Sequence, residues 1–122
     1  MMQRVRVPIT TAADGSATAY SPRLSGKVHS VHYAKTDFAD GVDFTVTAEA
    51  TGETIWAESN VNASASRYPR AATHSTAGVA SLFAAGGTAV QDAVALGNDR
   101  IKVVIAQGGD VKTGAVTFLV DL

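Results

Sequence analysis

The sequence has 122 residues, ten basic against eleven acidic side chains, a formal net charge of −1 and no cysteine. That length is one domain's worth of chain, and the missing cysteine excludes disulfides, thiol catalysis and cysteine-ligated zinc. The balanced charge gives no global field that would draw nucleic acid or an anionic membrane, so neither is expected as a partner.

The first segment, Gln3–Thr10, alternates cleanly, with Val5, Val7 and Ile9 on one face and Arg4, Arg6 and Pro8 on the other. Proline cannot donate to a strand ladder, which predicts an edge strand or a strand end at Pro8. Two readings of this arm stay open. Val5, Val7 and Ile9 complete the chain's own core, or the arm adds a strand to a neighbouring subunit. Its two arginines and lack of an apolar stretch do not make a secretory signal, and no run of 18 apolar residues follows to cross a bilayer as a helix.

Lys27–Tyr33 reads as the next strand. Strict alternation puts His29, Val31 and Tyr33 on one face and Val28 and His32 on the other. Asp43–Ala48 sets Phe44, Val46 and Ala48 against Asp43, Thr45 and Thr47, and Thr54–Ser59 sets Ile55 and Ala57 against Trp56 and Glu58. The short glycine-containing connection 49–53 joins them, so 43–59 reads as a hairpin. Arg100–Gln107 is apolar on both faces, like a central strand covered on each side. Ala115–Asp121 alternates Val116, Phe118 and Val120, and the glycines between 108 and 114 turn the chain before it. Fifteen valines and 13 threonines suit pleated strands and disfavour helices. Six to eight short strands and no long helix predict an all-β fold: a small antiparallel sandwich or barrel, jelly-roll-like or Greek key. The core is modest, because 22 of the apolar residues are alanine, and thin domains often gain stability by assembling.

Asn60–Asp92 breaks the regularity. These 33 residues include nine alanines, four serines and three glycines and read as one long loop. Val79–Ala85 has room for two helical turns at most between Gly78 and Gly86-Gly87. Loops of this length are uncommon unless they bind something or are disordered. Within it Arg67, Tyr68, Pro69 and Arg70 form either an ordinary exposed turn or a contact element, since tyrosine and arginine are enriched in binding hot spots.

Chemistry-bearing patterns are sparse, and the chain does not read as an enzyme. Placed three apart in a regular strand, His29 and His32 point to opposite faces and cannot share a metal. Asp37, Asp40 and Asp43 lack the spacing of a calcium loop and read as aspartates bonding their own turns. Gly26-Lys27 lacks the first glycine and the hydroxyl residue of a phosphate loop, and no nucleophile elbow occurs. Asn62-Ala63-Ser64 matches a glycosylation sequon that reads as incidental. No cofactor or metal is expected.

A resemblance goes further than the residues. Lys27–Thr47 (KVHSVHYAKTDFADGVDFTVT), Tyr68-Pro69-Arg70 and Arg100–Val120 (RIKVVIAQGGDVKTGAVTFLV) resemble small β-rich structural proteins of tailed bacteriophage virions. The resemblance covers about half the chain as a pattern of turns and strands, and is nearest to capsid decoration (cement) proteins. It implies a homotrimer on the capsid exterior, assembled in the bacterial cytoplasm and clamping subunits of the major capsid protein. Head–tail joining and tail terminator proteins are the alternative. A carbohydrate-binding β-sandwich module is the second alternative, but it would need two or three coplanar exposed aromatics from Trp56, Tyr20, Tyr33 and Tyr68. In the decoration reading, Val5, Val7 and Ile9 of the arm and Arg67, Tyr68, Pro69 and Arg70 of the loop are the contact residues.

Overall fold

Eight strands pair as one long antiparallel hairpin whose tip folds back over its base. A computed structural model describes all 122 residues as ten strands and no helix. They are β1 (Met2–Thr10), β2 (Ala17–Tyr20), β3 (Leu24–Tyr33), β4 (Val42–Ala48) and β5 (Thr54–Val61), then β6 (Ala65–Arg67), β7 (Arg70–Ala72), β8 (Gln91–Asp99), β9 (Ile101–Ala106) and β10 (Thr113–Asp121). β1 pairs with β10, β2 with β9, β3 with β8, and β4 with β5, all antiparallel. Successive rungs of this hairpin fall into alternate layers. One sheet runs β1-β10-β3-β8-β7, with β6 beside the far half of β3, and the other runs β2-β9-β4-β5. The two layers pack as a sandwich, not a closed barrel.

Between them lie 23 buried apolar residues, in which Phe38, Phe44 and Tyr33 cluster and Trp56 stacks on Phe44 at 4.8 Å. β1 is an edge strand, paired on one side only, as Pro8 requires. Val5, Val7 and Ile9 are buried in the chain's own core. This corrects the contact role for their side chains: a neighbour lying on β1 meets Arg4, Arg6 and Pro8 instead.

Other expectations change for local reasons. β2 and β8 were not legible because both are rich in alanine and polar residues. β9 is interior in its sheet, but Lys102 and Val104 on its outer face are only half-covered, so cover lies on one side. Val79–Ala85 forms no helix. Gly78 and Gly86 take φ of 78° and 70°, and turns close there through Gly78 N–Ser75 O and Gly87 N–Ala84 O bonds of 2.9 and 2.8 Å. The 60–92 segment is not a bare loop either. It holds β6, β7 and the start of β8, and residues 73–90 fold on themselves through bonds such as Thr73 N–Val90 O and Val90 N–Ser81 O.

Two bulges decide which side chains share a face. On β3, Ser30 pairs with Leu119 but Val28 with Val120, leaving His29 as the extra residue. On β5, Trp56 pairs with Val46 but Thr54 with Thr47, so Ile55 and Trp56 both turn inward. Gly26 has φ 141°, and a Cβ there would sit 2.3 Å from the Asp121 carbonyl oxygen, so only glycine lets the last strand lie this close.

Candidate functional site

The bulge at His29 resets the alternation of β3 and brings His29, Ser30 and His32 to the outer face together. This corrects the expectation that the two histidines diverge, because an extra residue on one strand shifts every later side chain by one position. Ser30 Oγ lies 3.0 Å from His29 Nδ1 and 2.8 Å from His32 Nε2, and His32 Nδ1 lies 2.9 Å from Ser66 Oγ on β6. Ser30 is 0% exposed, so its hydroxyl bridges the two rings and does not face solvent.

Tyr68 covers this bridge. Its ring meets His29 and His32 edge-on at 5.9 and 6.4 Å, and it remains 59% exposed. Pro69 continues the turn, and Arg70 Nη1 donates to the carbonyls of His29 and Pro69 at 3.1 and 2.6 Å. Arg67 turns the other way and forks onto Glu58 of β5, Nε to Oε1 at 2.8 Å and Nη2 to Oε2 at 3.0 Å. Trp56 Nε1 donates to the same carboxylate at 3.0 Å, and these bonds, Arg67's first, hold the Glu58 pKa down at about 2. The loop residues singled out from sequence therefore sit together on the larger sheet, apart from Val5, Val7 and Ile9 in the core. Both loop arginines are engaged within the chain, which leaves Tyr68 as the free anchor of the group.

Asp37 and Asp43 hold other segments rather than their own turns, while Asp40 pairs within the connection between β3 and β4. Asp37 accepts from the Thr113 amide at 2.8 Å, Asp43 from the Asn60 amide at 3.0 Å, and Asp40 pairs with Lys35 at 3.1 Å. No group of three acidic or histidine side chains converges in a way that could hold a metal ion. Asn62 and Ser64 of the sequon accept from the amides of Gly41 and Lys35.

Reading the sequence missed a second feature. The folded arm of residues 73–90 ends in three exposed large apolar side chains: Val79 at 65%, Leu82 at 43% and Phe83 at 74%. Their signal was present as large apolar residues inside an alanine- and glycine-rich stretch with no strand or helix period. Exposed clusters of this kind mark surfaces that a partner covers. Comparison with known proteins adds no family. No protein-family model, curated protein or solved structure matches the chain.

Proposed function

We propose that this chain is a non-enzymatic structural protein of a tailed bacteriophage virion that decorates and stabilises the capsid by binding subunits of the major capsid protein. The observation that carries the reading is the arm of residues 73–90, which is folded but presents Val79, Leu82 and Phe83 to solvent. A domain whose own core is already closed has no internal use for a hydrophobic tip. A tip of this kind is suited to being buried against another subunit.

The strand order supports the same reading. Pairing β1·β10, β2·β9, β3·β8 and β4·β5, with layers β1-β10-β3-β8 and β2-β9-β4-β5, is the order of a jelly roll interrupted by one arm between β5 and β8. Jelly rolls serve in capsid and lectin domains alike, so the fold narrows the class without choosing within it. Against the carbohydrate-binding reading, Trp56 and Tyr33 are in the core. Tyr20 lies on the smaller sheet beneath the Arg100 guanidinium, and Tyr68 lies by the larger one. No coplanar aromatic platform remains. The chain acts as a homotrimer on the capsid exterior, where symmetric repetition turns modest contacts into firm retention.

Light scattering on the purified protein, together with an electron map of particles, tests this. Many copies per shell in trimeric clusters support decoration. One ring at a single vertex would move the protein to the head–tail junction.

A further inference from the structure

We propose that the outer face of the larger sheet binds an extended acidic peptide segment whose carboxylates, two residues apart, are forked by Arg4 and Arg6. The chain has six arginines. Four are engaged internally: Arg23 with the Asn98 carbonyl, Arg67 with Glu58, Arg70 with the His29 carbonyl and Arg100 with Glu49. Arg4 and Arg6 are exposed, and their guanidinium groups make no hydrogen bond or ion pair with any residue of the chain. Their burial pattern alternates with Val5 and Val7, so both project from the outer face of β1.

They border an open groove of about 930 Å³ that crosses β1, β10, β3 and β6. Strand register sets a straight row across it: Arg6 opposite Thr117, Thr117 opposite His32, and His32 opposite Ser66. Hydroxyls are the commonest polar lining, and no carboxylate lines it. Asp37, which reaches Thr113 at the groove's end, is occupied by the Thr113 amide. An anionic occupant therefore meets two guanidiniums and several hydroxyls, with no carboxylate in the lining and Asp37 only at the groove's end.

The class of anion follows from what the groove lacks and from its spacing. Bases and sugars want exposed aromatic rings to stack on; Tyr33 is buried in the core, and His32 with the Tyr68 edge that meets it lies across β10 from the two arginines, so no ring stands beside the guanidiniums. Arg4 and Arg6 are two residues apart on a strand, about 7 Å by ordinary strand rise. An extended peptide repeats its side chains at the same interval, so carboxylates at alternate positions meet the two forks in register, each able to bond bidentately. The Thr117 hydroxyl, opposite Arg6 on the neighbouring strand, is placed to serve the peptide's carbonyls. This inference deepens the decoration reading, on which it rests for the partner's identity alone.

The test is fluorescence anisotropy of the full-length protein with dye-labelled synthetic peptides of alternating aspartate and threonine. The expected result is saturable binding that weakens at least tenfold in the Arg4→Gln/Arg6→Gln variant, with an unchanged melting temperature because neither side chain is bonded within the fold. A peptide of the same composition with its aspartates in one block, and one with asparagine for aspartate, should each bind at least tenfold more weakly. The Arg4→Lys/Arg6→Lys variant keeps the charge but loses the forks, and should fall between wild type and the glutamine variant. Equal binding by wild type and the glutamine variant would overturn the proposal. So would equal binding of the blocked peptide, or tighter binding of a single-stranded oligonucleotide or a sulfated oligosaccharide. Failure here leaves the particle map unaffected, so the groove and the decoration role are judged separately.

Discussion

The Glu58 carboxylate of β5 takes both arms of the Arg67 guanidinium and the Trp56 indole N–H, at 2.8, 3.0 and 3.0 Å. β5 is an edge of the smaller sheet, and β6, which carries Arg67, belongs to the larger one. The pair therefore spans the open side of the sandwich and fixes the turn that presents Tyr68. The consequence for recognition is plain: a side chain held in a bidentate bond inside the chain is not free to grip a partner's carboxylate.

The pH dependence of this pair has a definite sign. The folded-state pKa of Glu58 is about 2, against an ordinary 4.5. A depressed carboxylate stabilises the fold fully above its unfolded value and loses that contribution as pH falls toward the folded one. Because the Glu58 side chain is 35% exposed, solvent screening limits the effect to about 1 kcal/mol. Denaturant titrations at pH 7 and pH 2.5 should show Glu58→Gln less stable than wild type by that amount at the higher pH, with most of the gap closed at the lower. A gap that is constant with pH would contradict the assignment.

Val5, Val7 and Ile9 give a direct test of the arm. All three are buried between the sheets, and β1 is held along its whole length by β10. Removing residues 1–10 should abolish cooperative unfolding. Val7→Ala should cost about 2 kcal/mol, as expected for a buried large-to-small change. A truncated protein that melts like wild type would return the arm to the role of a contact strand.

Tyr33 carries a hydroxyl that is buried and unpartnered in the core. Burial, with Asp40 adding a smaller effect, pushes its pKa up. Leaving a buried donor unmade is costly, so Tyr33→Phe should raise stability by about 1 kcal/mol. Thermal melts of the two proteins side by side measure this, and a clear loss of stability would contradict it.

What the sequence made legible was what depends on residue type and regular period. The 43–59 hairpin, the edge position of the Pro8 strand and the inward set Val116, Phe118 and Val120 follow from alternation and proline chemistry. What it hid depends on single-residue departures from period. One extra residue at His29 moved His29 to the face of His32 and left Val28 inward with Val31 and Tyr33, and another at Ile55 turned Trp56 inward with it. Partner choice was equally hidden. Arg67 and Arg70 stood out beside Tyr68, whereas the unengaged arginines were Arg4 and Arg6, whose strand looked like mere edge. Only register and hydrogen bonding separate an occupied guanidinium from a free one.

Phe83 tests whether the arm is a contact. At 74% exposure it packs little within the chain, so Phe83→Ser should leave the melting temperature unchanged. The same substitution should reduce occupancy on particles at least tenfold, because an apolar anchor buried in an interface carries a disproportionate share of the affinity. Quantitative gel analysis of purified particles carrying each version gives the ratio. Unchanged occupancy would remove Phe83 from the interface.

An electron map of virions, with this sandwich fitted to the outer shell, tests the central claim most directly. The decoration account predicts clusters of three copies repeated over the capsid exterior, with residues 73–90 seated on the major capsid protein. Density for this fold confined to the head–tail vertex, or absent from the particle, would contradict it.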